Sequence, residues 1–532
     1  MSLYDHTGRL VKRPFWTRDS RPAAVILLLL SFAVGCTQLY WNNFIDEGDN
    51  IAVGDMLARG YVLYRDVFSH HFPFPYYWVA LVVSCCGNSI FAVRLSVLLL
   101  QTLAFGVAVW LTPFRVALAI AALVWRCIGY PYYGNLVIYP AFNGTAFVPV
   151  FAMAFAAATR QTPIRRQHVI WVGVFASVAI LSDPLAIYPV ALSVIVMSVA
   201  AGWKKAAAAA AIVAALLSVW LVTLLATGAL GAFVADAIRF NHEVYSKYTR
   251  VDPLPYQPIV HAAWTLLALF DARWAHLPSL VTRYTQPDRS PLTGFFFRAA
   301  IIIGTMLLLG RRKWLAAVYL YLTAAILIGA MGEERFRAIP FILVALFASA
   351  WCCTEQWQRP PAAGLPEQRR WQPSRLALPY FTRGVVGLAL LCLLLLGLDG
   401  IVENRAYLSY TANFQGYEQR AAMLRRLACD RPDVALIDYP SDPLMHFFTR
   451  MRPASPYIFM LPWVAEVALP EVIQRLASTP TLVQIDLDGA IWGRRNSLYM
   501  ASLIEFVSTH YVVVGRGLYR SPELNVACPI AR

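Results

Sequence analysis

Apolar runs, separated by short segments rich in arginine and lysine, leave this chain of 532 residues few ways to fold. They lie near 23–41, 91–111, 116–129 and 145–159, then as two arms of a hairpin over 168–200 with Ser182, Asp183 and Pro184 at its tip. Further runs lie near 206–226, 295–310, 314–331, 337–353 and 384–402, making about eleven spans in all. A helix needs about 20 apolar residues to cross about 30 Å of hydrocarbon, so the hairpin arms are short for the task. Hydrophobic residues make up 59% of the chain and charged ones 14%, whereas a soluble domain carries about 45–50% and about 25%. The surplus apolar surface has only lipid to go to, and the chain reads as a polytopic α-helical membrane protein.

The net charge of +15 follows the spans. Arg9, Lys12, Arg13, Arg18 and Arg21 precede the first, and Arg115, Arg160, Arg165 and Arg166 lie in later gaps, as do Lys204, Lys205, Arg311, Arg312 and Lys313. Arg359, Arg369, Arg370, Arg375 and Arg383 mark the last gap. Basic residues in short loops stay on the cytoplasmic side, so the charge reports topology and implies no nucleic-acid partner. With an odd number of spans the N-terminus is cytoplasmic, and segments 42–90, 227–294 and 403–532 share the outer side. The stretch 354–383, with Pro360, Pro361, Gly364, Pro366 and Pro373 among charges, reads as a cytoplasmic linker. The first run, ending in SFAVGC at Cys36, reads as a retained anchor rather than a cleaved leader. The excess of arginine over lysine and the alanine-rich spans point to a bacterial source, hence the inner membrane.

Residues 1–402 therefore form the membrane domain, and 403–532 an outer domain of different composition. PDVALIDYP, PTLVQIDLDG and YVVVGRGLYRS read as strands, and PLMHFFTR, LPEVIQRLAS and SLYMASLIEFVSTHY as helices. That alternation predicts a small α/β domain with a partly parallel sheet. Of the nine cysteines, seven lie in or near spans as small apolar filler. Cys429 and Cys528 fall in the outer domain, where an oxidising compartment lets them pair, with two free thiols as the alternative.

The segment 44–78, FIDEGDNIAVGDMLARGYVLYRDVFSHHFPFPYYW with its flanks, gathers Asp46, Glu47, Asp49, Asp55, Asp66, His70 and His71 beside a span. DEGDNIAVGDMLARG reads as a helix stopped by Gly60, with Asp46 as its cap and Glu47 in the first turn, where carboxylates are favoured by about 0.3–1 kcal/mol. Ionisable groups at a membrane boundary are costly and usually functional, so a catalytic reading stands beside the capping one.

This segment resembles the GT-C glycosyltransferases, particularly the bacterial branch related to aminoarabinose transferases and protein O-mannosyltransferases. The resemblance runs through Asp46-Glu47, Tyr64-Arg65-Asp66, His70, Pro73 and Tyr76-Tyr77, with shorter echoes in CGNSIFAVRL (86–95) and ERFRAIPFIL (334–343). It implies transfer of a sugar from a polyprenyl-phosphate donor to a cell-envelope lipid or polysaccharide, or less commonly a protein, on the outer face of the membrane. On that reading Asp46 is the general base and Glu47 orients the acceptor or a neighbour. Arg335, Arg337 and His71 are donor-phosphate candidates, and Asp66, His70, Tyr76 and Tyr77 acceptor or sugar candidates. His71 stands where relatives usually carry lysine, and Asn143 where some carry an acid, leaving Asp183 or Glu333 as substitutes, or no substitute at all. Arg94 and Arg298 share with Arg335 and Arg337 the alternative of merely anchoring their helices. Asp236, His242 and Glu243 in the second outer loop are weaker candidates. The resemblance implies no cofactor; His and Asp side chains in 46–71 are types that bind divalent metals, but adjacent histidines point different ways, and metal is not the favoured reading. A non-enzymatic transporter or flippase of lipid-linked sugar, or an envelope-assembly scaffold, is the rival. A transporter of this size commonly shows repeated halves, and none is visible here.

Overall fold

The computed structural model describes residues 20–248, 291–331, 337–354, 373–440, 442–491 and 493–527. Its first helices are α1 (Arg21–Cys36), α2 (Ile45–Ala58), α3 (Phe74–Cys86), α4 (Ile90–Leu111), α5 (Arg115–Ile128) and α6 (Tyr139–Ala158). After them come α7 (Arg166–Ser182), α8 (Ile187–Ala201), α9 (Trp203–Ala226), α10 (Pro291–Gly310), α11 (Trp314–Met331), α12 (Ile339–Thr354) and α13 (Pro373–Glu403).

Among the described residues, five helical stretches are long and apolar enough to cross a bilayer: α4, α6, Pro184–Ala201, α9 and Gly384–Glu403. Another six apolar helices are shorter, among them α1, α3, α7 and α12. The 14-residue α5, about 21 Å long, is too short to span alone. Segment 42–90, expected as an outer loop with one helix ending at Gly60, contains a second helix as well. Its α3 starts with Phe74 and Pro75, where proline's missing N–H costs nothing, and its residues Val79, Val82 and Val83 are buried in one cluster with Ile51 of α2 and Val93 of α4. The predicted cap at Asp46 is also revised: α2 starts at Ile45, with the extended Phe44 before it, so Asp46 and Glu47 both stand in the first turn. Gly60, at φ +96°, ends this helix in a conformation that a side chain would strain.

The most enclosed helix is α6, whose whole apolar window is buried. A helix apolar all round needs either lipid or other helices about it; here α4, α7, α8 and α12 pack around it. Small residues permit close approach. A Cβ on Gly144 would lie 2.9 Å from Ile339 Cγ2 and 3.1 Å from Pro340 N, so only glycine lets the start of α12 reach α6 here. That approach carries Arg337, two residues before α12, to the head of α6.

Beyond α13 the chain builds α14 (Gln415–Leu427), β1 (Ala435–Tyr439), α15 (Leu444–Thr449), β2 (Arg452–Pro453), α16 (Pro462–Leu476), β3 (Thr481–Ile485), α17 (Ala501–His510), β4 (Val512–Gly515) and β5 (Leu518–Arg520). The sheet order is β2-β1-β3-β5-β4. β1 runs parallel to β2 and β3, while β5 is antiparallel to both β3 and β4. β1 is buried on both faces, as parallel strands under covering layers are. Leu436 faces Leu424 of α14, while Ala435, Ile437 and Tyr439 share a core with α16, α17 and Ala52, Val53 and Met56 of α2.

Thus α2 is a wedge between the helical bundle and the sheet. Polar contacts from the segments around it join the same two parts: Phe68 N donates to Pro456 O at 3.0 Å, Asn88 Nδ2 to Phe447 O at 2.8 Å, and Asn43 Nδ2 to Tyr417 Oη at 2.9 Å. Every carboxylate of the 44–58 segment is carried on this wedge.

Candidate active site

One cation organises the acids and imidazoles of this region. The guanidinium of Arg337 acts electrostatically on Asp46, His70, His71, Tyr139 and Asp183, and its Nη2 donates to Tyr245 Oη at 3.2 Å. Asp46 reaches it from the first turn of α2, Tyr139 from the first turn of α6, and Asp183 from the turn between α7 and α8. Asp46, His71, Tyr139, Tyr245 and Arg337 each keep part of their surface accessible, whereas Glu47, Asp49, His70, Asn143 and Asp183 behind them are buried. The accessible faces belong to a group open to an incoming molecule, and the buried ones to its wall.

Burial dominates protonation both in the accessible group and in its wall. It raises Asp46 to about 6, opposed by Arg337, because removing a carboxylate from water disfavours its charged form. Asp183 is likewise raised to about 6 by burial, opposed by its bond from Leu185 N, by Arg337 and by Asn143 Nδ2 at 3.3 Å. Burial lifts Asp49 to about 8 against the Tyr76 hydroxyl that donates to its Oδ2 at 2.5 Å, with Asp46 adding repulsion. Near neutrality Asp46 is therefore ionised and Asp49 neutral. Burial lowers His70 to about 3 and His71 well below the usual imidazole range, with Arg337 acting the same way on both. Both rings are neutral at pH 7, and Arg337 supplies the positive charge. The rings are arranged for contact: His70 and His71 have centroids 4.0 Å apart, His71 stacks on Tyr139 at 4.9 Å, and His70 lies 5.1 Å from Tyr245.

The other residues singled out in the sequence take different places. Glu47 points away from Arg337 and is gripped by Arg94: Nε donates to Oε1 at 2.9 Å and Nη2 to Oε2, with Val137 N bonding Oε1 at 3.1 Å. Arg94 is fully buried, so it is no surface anchor. Tyr76 lies in the wall, bonded to Asp49 and to Ser69 Oγ at 2.6 Å. Tyr77 is partly exposed against Trp220 at 5.6 Å. Asp66 is forked onto Arg65 in a separate cleft. Among the weaker candidates, burial raises Asp236 to about 7, aided by Glu471, while His242 and Glu243 are exposed. Arg335, Glu333 and Cys528, the expected partner of Cys429, lie outside the described residues.

Tyr139 and Tyr245 were not singled out by sequence reasoning, and Asp49 was grouped with the other acids but given no role. Asp49 carried a legible signal: three residues after Asp46, it lies on the same face of α2. Among the described residues no three His, Cys, Asp or Glu side chains are grouped to hold a metal ion.

No family model and no curated protein matches the chain. Its fold is nevertheless shared with solved structures at low sequence identity. The crystal structure of ArnT from Cupriavidus metallidurans bound to undecaprenyl phosphate superposes with a TM-score of 0.55 at 14% identity, covering 95% of this chain and 99% of that one. The apo state of the same protein gives 0.50 at 14% identity over 94% and 97%. The oligosaccharyltransferase of Archaeoglobus fulgidus, in complex with Zn and sulfate, gives 0.50 at 14% identity over 87% and 68%.

Proposed function

We propose that this chain of GT-C fold is an integral-membrane glycosyltransferase that moves a sugar from a polyprenyl-phosphate donor to a cell-envelope lipid or polysaccharide. The observation that carries the reading is an accessible, ionised Asp46 beside Arg337, in a fold shared end to end with a protein whose structure holds undecaprenyl phosphate. In the proposed reaction the acceptor hydroxyl oxygen attacks the anomeric carbon as its proton passes to Asp46. The bond from that carbon to the phosphate oxygen breaks, and polyprenyl phosphate leaves with the electron pair. Arg337 holds the departing phosphate, a role suited to its planar fork. His70 and His71, neutral, contribute hydrogen bonds and ring surface, and Tyr139 a further polar contact. Asp183 takes the place of the acid missing at Asn143, which it bonds. Glu47 acts through Arg94 by fixing the first turn of α2. The proposed orientation puts this centre and the sheet on the outer side of the bacterial inner membrane, with the N-terminus in the cytoplasm.

The transfer is proposed to need no metal, since a fixed guanidinium already occupies the position where a cation would serve the phosphate. Comparison of envelope lipids and glycans by mass spectrometry, between wild type and a deletion strain, tests the reading. Loss of one sugar mass is the expected result and identifies the sugar; an unchanged envelope overturns it. In the purified protein, transfer should persist in excess EDTA.

The pH dependence has a definite sign. A base must be ionised, so the rate should fall as pH drops through about 6, by about tenfold per unit below it for a single ionisation. It should be level above. A rate independent of pH between 5 and 7, roughly the range spanned by Asp46's ionisation, would remove Asp46 from the base role.

A further inference from the structure

A cleft of about 450 Å³ opens between the loop after α2 and the edge of the sheet, beside Asp66. Arg59, Arg65, Arg452 and Arg475 line it, with Asp66 as the lining carboxylate. The size falls within the usual range for small-molecule sites, about 300–1,000 Å³.

The local charges do not balance. Arg65 forks onto Asp66, with Nε–Oδ1 and Nη2–Oδ2 distances of 2.9 Å. Arg59 pairs with Asp55 at 3.0 Å, and Arg450 stands 3.7 Å from the same carboxylate. Arg475 pairs with Glu471, one helical turn away, at 2.8 Å. Arg452 has a buried Nε with no hydrogen-bond partner, and the acid that feels its charge, Asp433, is already held by Arg431. Four arginines thus line one concavity with a single lining carboxylate, Asp66; Asp55 and Glu471 answer two of the others from outside it, and Arg452 is left over. Mutual repulsion among such cations is relieved only by an anion, and each guanidinium has five donors, more than its present partner uses.

Topology does not account for the excess. Basic residues that orient a membrane protein lie in short cytoplasmic loops, whereas these sit against the sheet, on the opposite side in the orientation proposed above.

We infer that this cleft is a phosphate-binding site, taking the phosphate monoester of a saccharide or of a lipid headgroup. The surplus positive charge at Arg452, beside three guanidiniums with donors to spare, suits the dianionic group that a phosphate monoester approaches near neutrality. The site adjoins the catalytic candidate without belonging to it: Pro456, in its wall, accepts the 3.0 Å bond from Phe68 N, and the Phe68 ring lies 6.3 Å from His70. An occupant therefore bears on the segment that carries both histidines. The inference does not depend on the transfer chemistry.

The test uses the full chain in nanodiscs of phosphatidylcholine at low ionic strength, titrated calorimetrically with glucose 6-phosphate. Wild type should bind, and Arg452→Ser with Arg475→Ser should weaken binding by roughly tenfold or more, the value of losing charge-assisted hydrogen bonds. The single exposed change Arg475→Gln is the control should the double variant not fold; it should weaken binding by about threefold, a smaller share of the same interaction. Added salt should weaken wild-type binding as well. If discs containing phosphatidic acid, whose headgroup is a phosphate monoester, abolish the glucose 6-phosphate signal, the natural occupant is a headgroup; if the signal survives, it is a saccharide phosphate. No binding by wild type, or equal binding by wild type and the Arg475→Gln variant, overturns the inference.

Discussion

Asp46→Asn should fold and reach the membrane as wild type does, yet lose transfer by about 10²- to 10⁴-fold, the usual contribution of a positioned general base. The substitution keeps the side chain's shape. It also removes a carboxyl that burial already disfavours in its charged form, so the native state has no reason to weaken. In cells this variant should reproduce the envelope of the deletion strain. The informative comparison is between those two strains at equal protein level. If the deletion loses a sugar that Asp46→Asn retains in full, Asp46 is a structural residue, and the transporter or scaffold reading gains. The acid limb of the pH profile supplies a second readout, because residual transfer by the variant should no longer fall below pH about 6.

Arg94→Met should be far more damaging to the fold. Arg94 donates to Glu47 through Nε and Nη2, to Leu39 O and Trp41 O at 3.0 Å through Nη1, and to Asn42 O at 2.6 Å through Nη2. Its guanidinium also lies 5.0 Å from the Phe414 ring. One side chain thus ties the exit of α1, the first turn of α2 and the start of α4. Removing it leaves the buried Glu47 carboxyl without its ion-pair partner; breaking a buried pair in this way costs about 3–5 kcal/mol. The expected result is a large drop in melting temperature in detergent. The double variant Glu47→Gln, Arg94→Met should melt higher than Arg94→Met alone, since no unpaired charge remains. Arg94→Lys should fall between, because an ammonium cannot reproduce the fork. Melting of Arg94→Met at the wild-type temperature would show that the pair contributes nothing to stability. Asp46 and Glu47, neighbours in sequence, are thus separated by experiment into one residue whose loss stops chemistry and one whose partner's loss unfolds the site.

That separation marks the boundary of what was legible beforehand. The apolar helices were readable because transfer into lipid is a sum over local residues. α9, α11 and α12 lie within a few residues of their predicted runs. The strands at 435–439 and 481–485 were readable from β-branched and apolar content between turn signals. The Asp46-Glu47 pair and the histidines stood out because acids and imidazoles beside a span are rare. α3 was hidden inside a segment that looked like a loop, since its 13 residues are too few to register as a span.

Residue roles, by contrast, were decided by three-dimensional neighbours. Successive residues on a helix point about 100° apart, so Asp46 turns to Arg337 while Glu47 turns to Arg94. Nothing in the order of letters states where those arginines come to rest. Asn143, an apparent gap in the acid pattern, meets Asp183 only because α6 and α7 pack together. Asp66, grouped by sequence with the histidines, belongs instead to the basic cleft beside the sheet edge. The sequence by itself determined a helical membrane protein with acids and imidazoles gathered beside its first span, because hydrophobicity and composition are local properties. Only the tertiary structure decided which carboxylate stays accessible and which is locked away, because burial and ion pairing depend on segments far apart in the chain.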